Sequence, residues 1–273
     1  ERFRKHDKKL FVLTNSDFHY TKLLLDYAIN PFLKEHKSWS ELFEFVIVSA
    51  QKPRFFMDKQ KFLRVNPTDG SMKNLEGKLL PGIYQGGCAQ NFTDDLDLDG
   101  NDILYIGDHI YGDILRLKKD CNWRTAMVVE DLEEEIRKYK DVAPVQQRIN
   151  TLMQEKEPLE DENVALVSER IESGTSAHDE RIQELQAKTA ELDKLISELI
   201  RRHQSHFNKY WGEVMRAGNE ESYFANQTER FACIYMAKLA DLLALSPRTY
   251  FRAPRRPMAH EIQAGQVTMM LEL

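Results

Sequence analysis

Four short apolar runs, each followed by polar residues, constrain the fold of this chain more than any other feature. They occupy residues 9–13, 43–50, 103–106 and 125–129. The second run is too apolar for a half-exposed strand and is typical of a strand buried in a parallel sheet. Apolar residues near helical spacing follow the first run, and strands that alternate with helices build a doubly wound parallel sheet. The sequence therefore predicts an α/β fold.

The second half of the chain predicts helices. Residues 145–209 are rich in charged side chains, and their apolar residues recur near heptad spacing. The pattern is poorer before Gly174 and is broken at Pro158. It predicts two antiparallel helices that turn near Gly174, and it favours a role in packing or oligomer contact. An amphipathic pattern over residues 220–245 predicts one further helix.

These patterns divide the chain into three predicted domains. An α/β core covers residues 1–144 and includes a glycine-rich β excursion at residues 62–87 with turns at Asp69-Gly70 and Pro81-Gly82. The helical hairpin follows at residues 145–209, and a helical C-terminal region that packs on the core covers residues 210–273. We expect the protein to form a homo-oligomer.

Composition argues against several classes of partner. The chain has 38 lysine and arginine residues against 44 acidic residues, a formal net charge of −6, which argues against a dedicated nucleic-acid binder. Its longest apolar stretch, residues 231–245, contains Lys238 and Asp241, so we expect no membrane-spanning segment. Three widely spaced cysteines indicate neither a disulfide framework nor a zinc knuckle and favour a reducing, cytoplasmic setting.

Polar residues that follow the first two apolar runs could bind an anion, because ligands of open α/β sheets bind at the carboxyl ends of the strands. Thr14, Asn15 and Ser16 supply hydroxyl and backbone N–H groups that can hold a phosphate, although these residue types also cap helices. Lys52 follows the second run and could neutralise phosphate charge. Taken alone, Lys52 is more simply interpreted as an exposed loop lysine.

The cluster after the third run is more specific. Asp108 and Asp113 occur in the pattern G-D-x-x-x-G-D, across an expected strand-to-helix turn. Carboxylate oxygens suit Mg²⁺, which binds one or two of them together with water and phosphate oxygens. A capping aspartate and a surface aspartate are the alternative interpretation. We expect His109, between them, to have a local structural role.

The three clusters follow the order of motifs II, III and IV of the haloacid dehalogenase-like phosphatases. Within that superfamily, the chain resembles the cytosolic purine 5′-nucleotidase family. The resemblance covers most of residues 9–131 and 210–261 and is poor over the helical hairpin. The segments that carry it are residues 11–21, 51–56, 102–115, 123–125, 215–218, 223–227 and 230–231. It implies a haloacid dehalogenase-like core.

The resemblance also implies a Mg²⁺-dependent 5′-nucleotidase that hydrolyses purine nucleoside monophosphates of the IMP or GMP type. In such an enzyme an aspartate attacks phosphorus, and the resulting aspartyl-phosphate is then hydrolysed. The positions that the resemblance assigns are Asp108 and Asp113 for the metal, Thr14, Asn15, Ser16 and Lys52 for the phosphate, and Lys52 and Thr14 for catalysis. It further implies a nucleotide effector site beside Tyr111, with Lys119 and Arg230 as additional candidates.

One family motif is missing from the expected place. The nucleophile motif D-x-D-x-T/V does not precede Thr14, so we expect the nucleophilic aspartate to lie outside this chain, which supplies motifs II to IV. The alternative function is a catalytically inactive nucleotide-binding or scaffold protein on the same core. The presence of Thr14, Lys52, Asp108 and Asp113 at the matching strand ends argues against that alternative.

Overall fold

Two structural units make up the chain, and the second interrupts the first in sequence. A computed structural model describes residues 1–218, 220–252, 258, 260 and 261. Unit 1 comprises Glu1–Glu130 and Tyr223–Leu273, and unit 2 comprises Asp131–Ser222. Part of the predicted C-terminal region, residues 253–257, 259 and 262–273, lies outside the described residues.

Unit 1 is a mixed α/β structure in which most strand pairs are parallel. Its strands are β1 (Phe11–Leu13), β2 (Phe45–Val48), β3 (Phe62–Val65), β4 (Met72–Asn74), β5 (Gly82–Gly86), β6 (Leu104–Gly107), β7 (Arg124–Val128) and β10 (Ile234–Met236). They form a five-stranded sheet in the order β1-β2-β5-β3-β4 and a three-stranded sheet in the order β10-β7-β6. The remaining two strands, β8 (Arg216–Ala217) and β9 (Glu220–Glu221), form a two-stranded ribbon in unit 2.

The four predicted strands are confirmed as β1, β2, β6 and β7. All four residues of β2 are buried, as expected for the interior of a parallel sheet. The glycine-rich excursion returns into this sheet, because β5 pairs in parallel with β2. Gly82, which was expected in a turn, is the first residue of β5. Since the strands form two hydrogen-bonded sheets, a continuous doubly wound haloacid dehalogenase-like core stays a prediction.

Eight α-helices accompany the strands in the described part of the chain. They are α1 (Phe18–Ala28), α2 (Trp39–Leu42), α3 (Arg54–Met57), α4 (Ala89–Leu96), α5 (Arg116–Asp120), α6 (Leu132–Ser173), α7 (Asp179–Gln204) and α8 (Tyr223–Phe231). A π-helical turn, Ile110–Leu115, precedes α5. None of the described helices has the length and hydropathy that a membrane crossing requires.

The prediction of one helix over residues 220–245 is wrong. Only α8 is α-helical there; β10 follows, and Leu239–Ala244 is a 3-10 helix. β10 pairs in parallel with β7, and Val129 donates its backbone N–H to Met236 at 2.8 Å. Strand pairing with a buried edge of the sheet therefore outweighs the helical pattern of the local sequence.

Helix α6 is continuous through Pro144 and through Pro158, where the apolar pattern is broken, and it crosses the predicted boundary after residue 144. A proline inside a helix removes one hydrogen bond and clashes with the preceding turn. Burial of apolar residues such as Leu152 between α6 and α7 offsets that cost. The turn near Gly174 is confirmed, with Gly174 in the left-handed region at φ +69°.

An aromatic core connects the two sheets of unit 1. Phe92, Tyr105 and Trp123 are buried in one cluster, and the Tyr105 and Trp123 rings lie 6.4 Å apart. Phe11 of β1 lies 5.1 Å from Phe92 and 6.4 Å from Tyr105 between ring centres. The ring of Tyr105 is therefore held by packing in the core, while its hydroxyl group is available for the site described next.

Candidate functional site

The loop after β1 is held against the loop after β2. Ser49 donates its backbone N–H to Ser16 O at 2.8 Å, and Ala50 donates to Thr14 O at 3.0 Å. Asn15 adds two side-chain bonds to the backbone of Lys52, accepting from N at 2.5 Å and donating to O at 3.0 Å. The predicted phosphate-binding residues are therefore brought together with Lys52.

Backbone strain accompanies this contact. Ser49 and Gln51 both lie in the left-handed region, at φ 45° and φ 57°. Such conformations cost non-glycine residues roughly 1 kcal/mol each and persist where surrounding structure determines them. The hydrogen bonds between the two loops hold Ser49 and Gln51 in this conformation. The position of Lys52 therefore depends on the loop after β1.

Helix α1 is capped by Asp17, the last residue of the polar cluster that follows the first apolar run. Asp17 accepts the Tyr20 backbone N–H at 3.0 Å, and this bond lowers the pKa of the Asp17 carboxyl group. The Thr14 hydroxyl oxygen accepts the Ser16 backbone N–H at 3.1 Å. The Thr14 hydroxyl hydrogen can therefore be donated to a ligand, whereas the Ser16 N–H is already bonded in this structure.

Lys52, Tyr105 and Asp113 form a closed triangle of hydrogen bonds. Lys52 Nζ donates to Asp113 Oδ1 at 2.7 Å and to the Tyr105 hydroxyl at 2.9 Å, and that hydroxyl donates to Asp113 Oδ1 at 3.0 Å. The Asp113 side chain is only 5% exposed and that of Lys52 is 15% exposed. The charged pair is thus largely withdrawn from solvent, while the ammonium group keeps some access to it.

Burial raises the pKa of the Tyr105 hydroxyl well above its ordinary value. The negative charge of Asp113, its hydrogen bond to the hydroxyl and the charge of Asp108 raise this pKa further. Tyr105 therefore stays a protonated donor to Asp113. The influence of Asp108 also shows that both carboxylates act on the same region of the site.

The turn after β6 sets the position of Asp113. His109 accepts the Gly112 N–H on Nδ1 at 2.9 Å, and its backbone O accepts the Asp113 N–H at 2.8 Å. A Cβ atom on Gly107 would lie 2.4 Å from Asp113 Cβ, so only glycine fits there. His109 has a local structural role in this turn.

Asp108 and Asp113 differ as candidate metal ligands. Asp108 is exposed, whereas Asp113 is buried. Asp113 Oδ1 accepts hydrogen bonds from Lys52 and Tyr105, and Oδ2 accepts the His109 N–H at 3.3 Å. The described residues contain no group of three or more histidine, cysteine or acidic side chains that could hold a metal. The donors present fit Mg²⁺, which takes few carboxylates and fills its remaining positions with water and ligand oxygens.

The three effector candidates lie around α8. The Tyr111 side chain is hydrogen-bonded to that of Tyr223, which raises the pKa of Tyr111. Lys119 Nζ and Arg230 Cζ lie 5.2 Å and 5.3 Å from the centre of the Phe231 ring. Lys119 and Arg230 therefore both lie against the ring of Phe231.

Sequence reasoning missed Tyr105, which contacts both charged residues of the triangle. In the sequence it reads as one more apolar residue of a buried strand. The available indication is chemical: the hydroxyl group of a buried tyrosine usually requires a hydrogen-bond partner.

Comparison with known proteins matches the chain to one family. A family model described as the 5′ nucleotidase family matches residues 1–263. The chain is 30% identical over 258 residues to 5′-nucleotidase domain-containing protein 2 of Homo sapiens, covering 94% of the chain and 45% of the relative. For the protein of the same name from Rattus norvegicus the values are 29%, 94% and 43%.

A 5′-nucleotidase domain-containing protein of Dictyostelium discoideum is 25% identical over 268 residues, covering 96% of the chain and 42% of the relative. The chain thus spans less than half the length of these curated relatives.

Proposed function

Because the chain belongs to the 5′-nucleotidase family, we propose that it supplies part of a Mg²⁺-dependent hydrolase for purine nucleoside monophosphates of the IMP or GMP type. One observation carries the proposal: three separate strand-end loops converge on Lys52. Asn15 binds its backbone, and Asp113, from the turn after β6, binds its ammonium group. A largely buried lysine held in this way suits the binding of a phosphate group.

Lys52 would offset the negative charge that develops on the phosphoryl group. An ammonium group has three N–H donors, and Tyr105 and Asp113 accept two of them. The third can bind a phosphoryl oxygen. Because the first two bonds fix the ammonium group beforehand, little reorganisation is needed when charge develops. The Thr14 hydroxyl would donate a second hydrogen bond to the phosphoryl group, assisted by Asn15 and Ser16.

Asp108 would hold Mg²⁺ directly, with Asp113 contributing through Oδ2 or through water. When bound, Mg²⁺ would stabilise negative charge on the phosphoryl oxygens. Neither Asp108 nor Asp113 would be the nucleophile of the proposed aspartyl-phosphate, because both carboxylates already have other roles at this site. We further propose that a nucleotide effector binds at Tyr111, Lys119 and Arg230. We also propose that the protein is cytoplasmic and forms a homo-oligomer.

Phosphate release from IMP and GMP by the intact protein, with and without Mg²⁺, tests this function. Asp108→Asn should lower the Mg²⁺-dependent rate by about a hundredfold or more, as expected for loss of a group that stabilises transition-state charge. Asp120→Asn, at an exposed position at the end of α5, is the matched control and should keep the rate. Nucleotide binding without any turnover by the intact protein would contradict the hydrolase proposal and favour the inactive binding protein.

A further inference from the structure

Unit 2 contains a pocket of its own, separate from the Lys52 site and about 720 Å³ in volume. This volume is in the range that small organic ligands occupy. Helices α6 and α7 and the segment that follows α7 contribute residues to its wall. The residues that line the pocket are Tyr139, Gln146, Ile149, Asn150, Ile200, His203, Gln204, Glu213, Arg216 and Gly218.

Two carboxylates lie within hydrogen-bond distance of one tyrosine hydroxyl group at this pocket. Tyr139 donates its hydroxyl hydrogen to Glu213 Oε1 at 2.5 Å, and Glu135 Oε1 lies 3.2 Å from the same hydroxyl oxygen. A phenol has a single hydrogen to donate, so it cannot satisfy both carboxylates at once. Glu135 is buried, and its other oxygen accepts the Val214 backbone N–H at 2.8 Å. The cluster therefore concentrates negative charge.

Nearby positive charge does not balance this cluster. In the part of the chain that the structure describes, His203 is the basic side chain within ion-pair range of Glu213, with Nδ1 at 3.8 Å from Oε2. The His203 ring is buried, and its Nε2 atom has no hydrogen-bond partner among the described residues. A histidine supplies at most one positive charge against two carboxylates. Arg216 also lines the pocket, but its side chain is exposed, so solvent screens its charge.

We propose that this pocket binds a small organic amine, with its ammonium group against Glu213. Partly buried negative charge is stabilised by a cation that also satisfies its hydrogen bonds. The side-chain amide oxygens of Gln146 and Gln204 can accept further N–H groups, and Ile149 and Ile200 provide apolar contact for a methylene chain. A metal ion fits less well, because no described cluster offers three metal-binding side chains.

Calorimetric titration of the intact protein with 1,4-diaminobutane at neutral pH and low salt tests the proposal. Saturable binding is expected, and Glu213→Gln should weaken it by about tenfold or more, since it removes the charge that pairs with the ammonium group. Glu191→Gln, at an exposed position on α7, should leave the affinity unchanged. No saturable binding at millimolar diamine, or equal affinity of the wild type and Glu213→Gln, would overturn it.

A second pair of variants does not disturb the buried cluster. Gln204 lines the pocket at an exposed position, so its substitution should leave the fold intact. Gln204→Arg should weaken diamine binding by repulsion, and Gln204→Glu should strengthen it. Helical circular dichroism checks that both variants are folded. Equal affinities for wild type and both variants would show that charge in this pocket does not govern amine binding.

Discussion

Tyr105 donates its hydroxyl hydrogen to Asp113 Oδ1 across 3.0 Å, and the ring of the same residue is fixed in the aromatic core. The site is therefore anchored to the interior of unit 1 through one side chain. Tyr105→Phe keeps the ring and removes only this hydrogen bond and the one from Lys52. We expect a loss of about 1–3 kcal/mol in the free energy of unfolding, measured by urea denaturation.

The same variant should lower kcat for phosphate release while KM changes little, because Lys52 would be less firmly positioned. Tyr27→Phe, on an exposed tyrosine of α1 outside the triangle, serves as the control for stability. An unchanged free energy of unfolding and an unchanged kcat in Tyr105→Phe would remove Tyr105 from this role.

The Lys52–Asp113 pair makes a second prediction possible. Lys52→Met leaves the nearly buried Asp113 carboxylate without its counter-charge, and we expect a loss of about 3–5 kcal/mol. The double variant Lys52→Met, Asp113→Asn should recover part of this loss, because no uncompensated charge remains.

Arg54→Ala breaks the exposed Arg54–Asp58 pair and provides the comparison, with an expected loss below about 1 kcal/mol. A double variant as unstable as the sum of the two single variants would mean that the pair is not coupled. Chemical denaturation of the wild type, Lys52→Met, Asp113→Asn, the double variant and Arg54→Ala supplies the measurement.

Gly107 is expected to tolerate no side chain. The Cβ atom of Gly107→Ala would lie 2.4 Å from Asp113 Cβ, so the turn after β6 has to shift. We expect a loss of about 1–3 kcal/mol in stability, typical of overpacking, and a matching loss of activity.

Gly82→Ala is the matched control, because its nearest contact would be 3.7 Å away and ordinary. Thermal unfolding of both variants decides the question. Similar melting temperatures for Gly107→Ala and the wild type would show that Asp113 is not held against the turn.

Cys121 should resist alkylation. Burial, followed by the charges of Asp120 and Cys88, raises the pKa of its thiol to about 12, so the reactive thiolate becomes the main form only near that pH. At pH 8.5 we expect the alkylation of Cys121 to be more than about a hundredfold slower than that of glutathione. Peptide mass spectrometry after iodoacetamide treatment measures the rate, and treatment in urea should make Cys121 reactive. Alkylation in the folded protein at the rate of glutathione would contradict the burial of this thiol.

The strands of the core could be predicted because β1, β2, β6 and β7 are continuous apolar runs bounded by polar residues. β10 could not, since its three residues fit a helical period equally well. The residues of unit 2 separate β10 from its partner β7 in the sequence, so the local sequence around β10 does not indicate that pairing.

The residue types of the site were predictable, because lysine and aspartate at strand ends have few structural reasons to occur together. The geometry was not. That Asp113 is buried against Lys52 and Tyr105 while Asp108 is exposed follows from the π-helical turn, which no sequence pattern indicated.

The pairing of β7 with β10 has a consequence for synthesis on the ribosome. β6 is available as soon as β7 emerges, but β10 follows only after the residues of unit 2 have been made. During that interval one side of an apolar strand has no neighbour, and such an edge can pair with another nascent chain. This edge of β7 therefore stays open to pairing with another chain until Met236 leaves the exit tunnel and β10 occupies it.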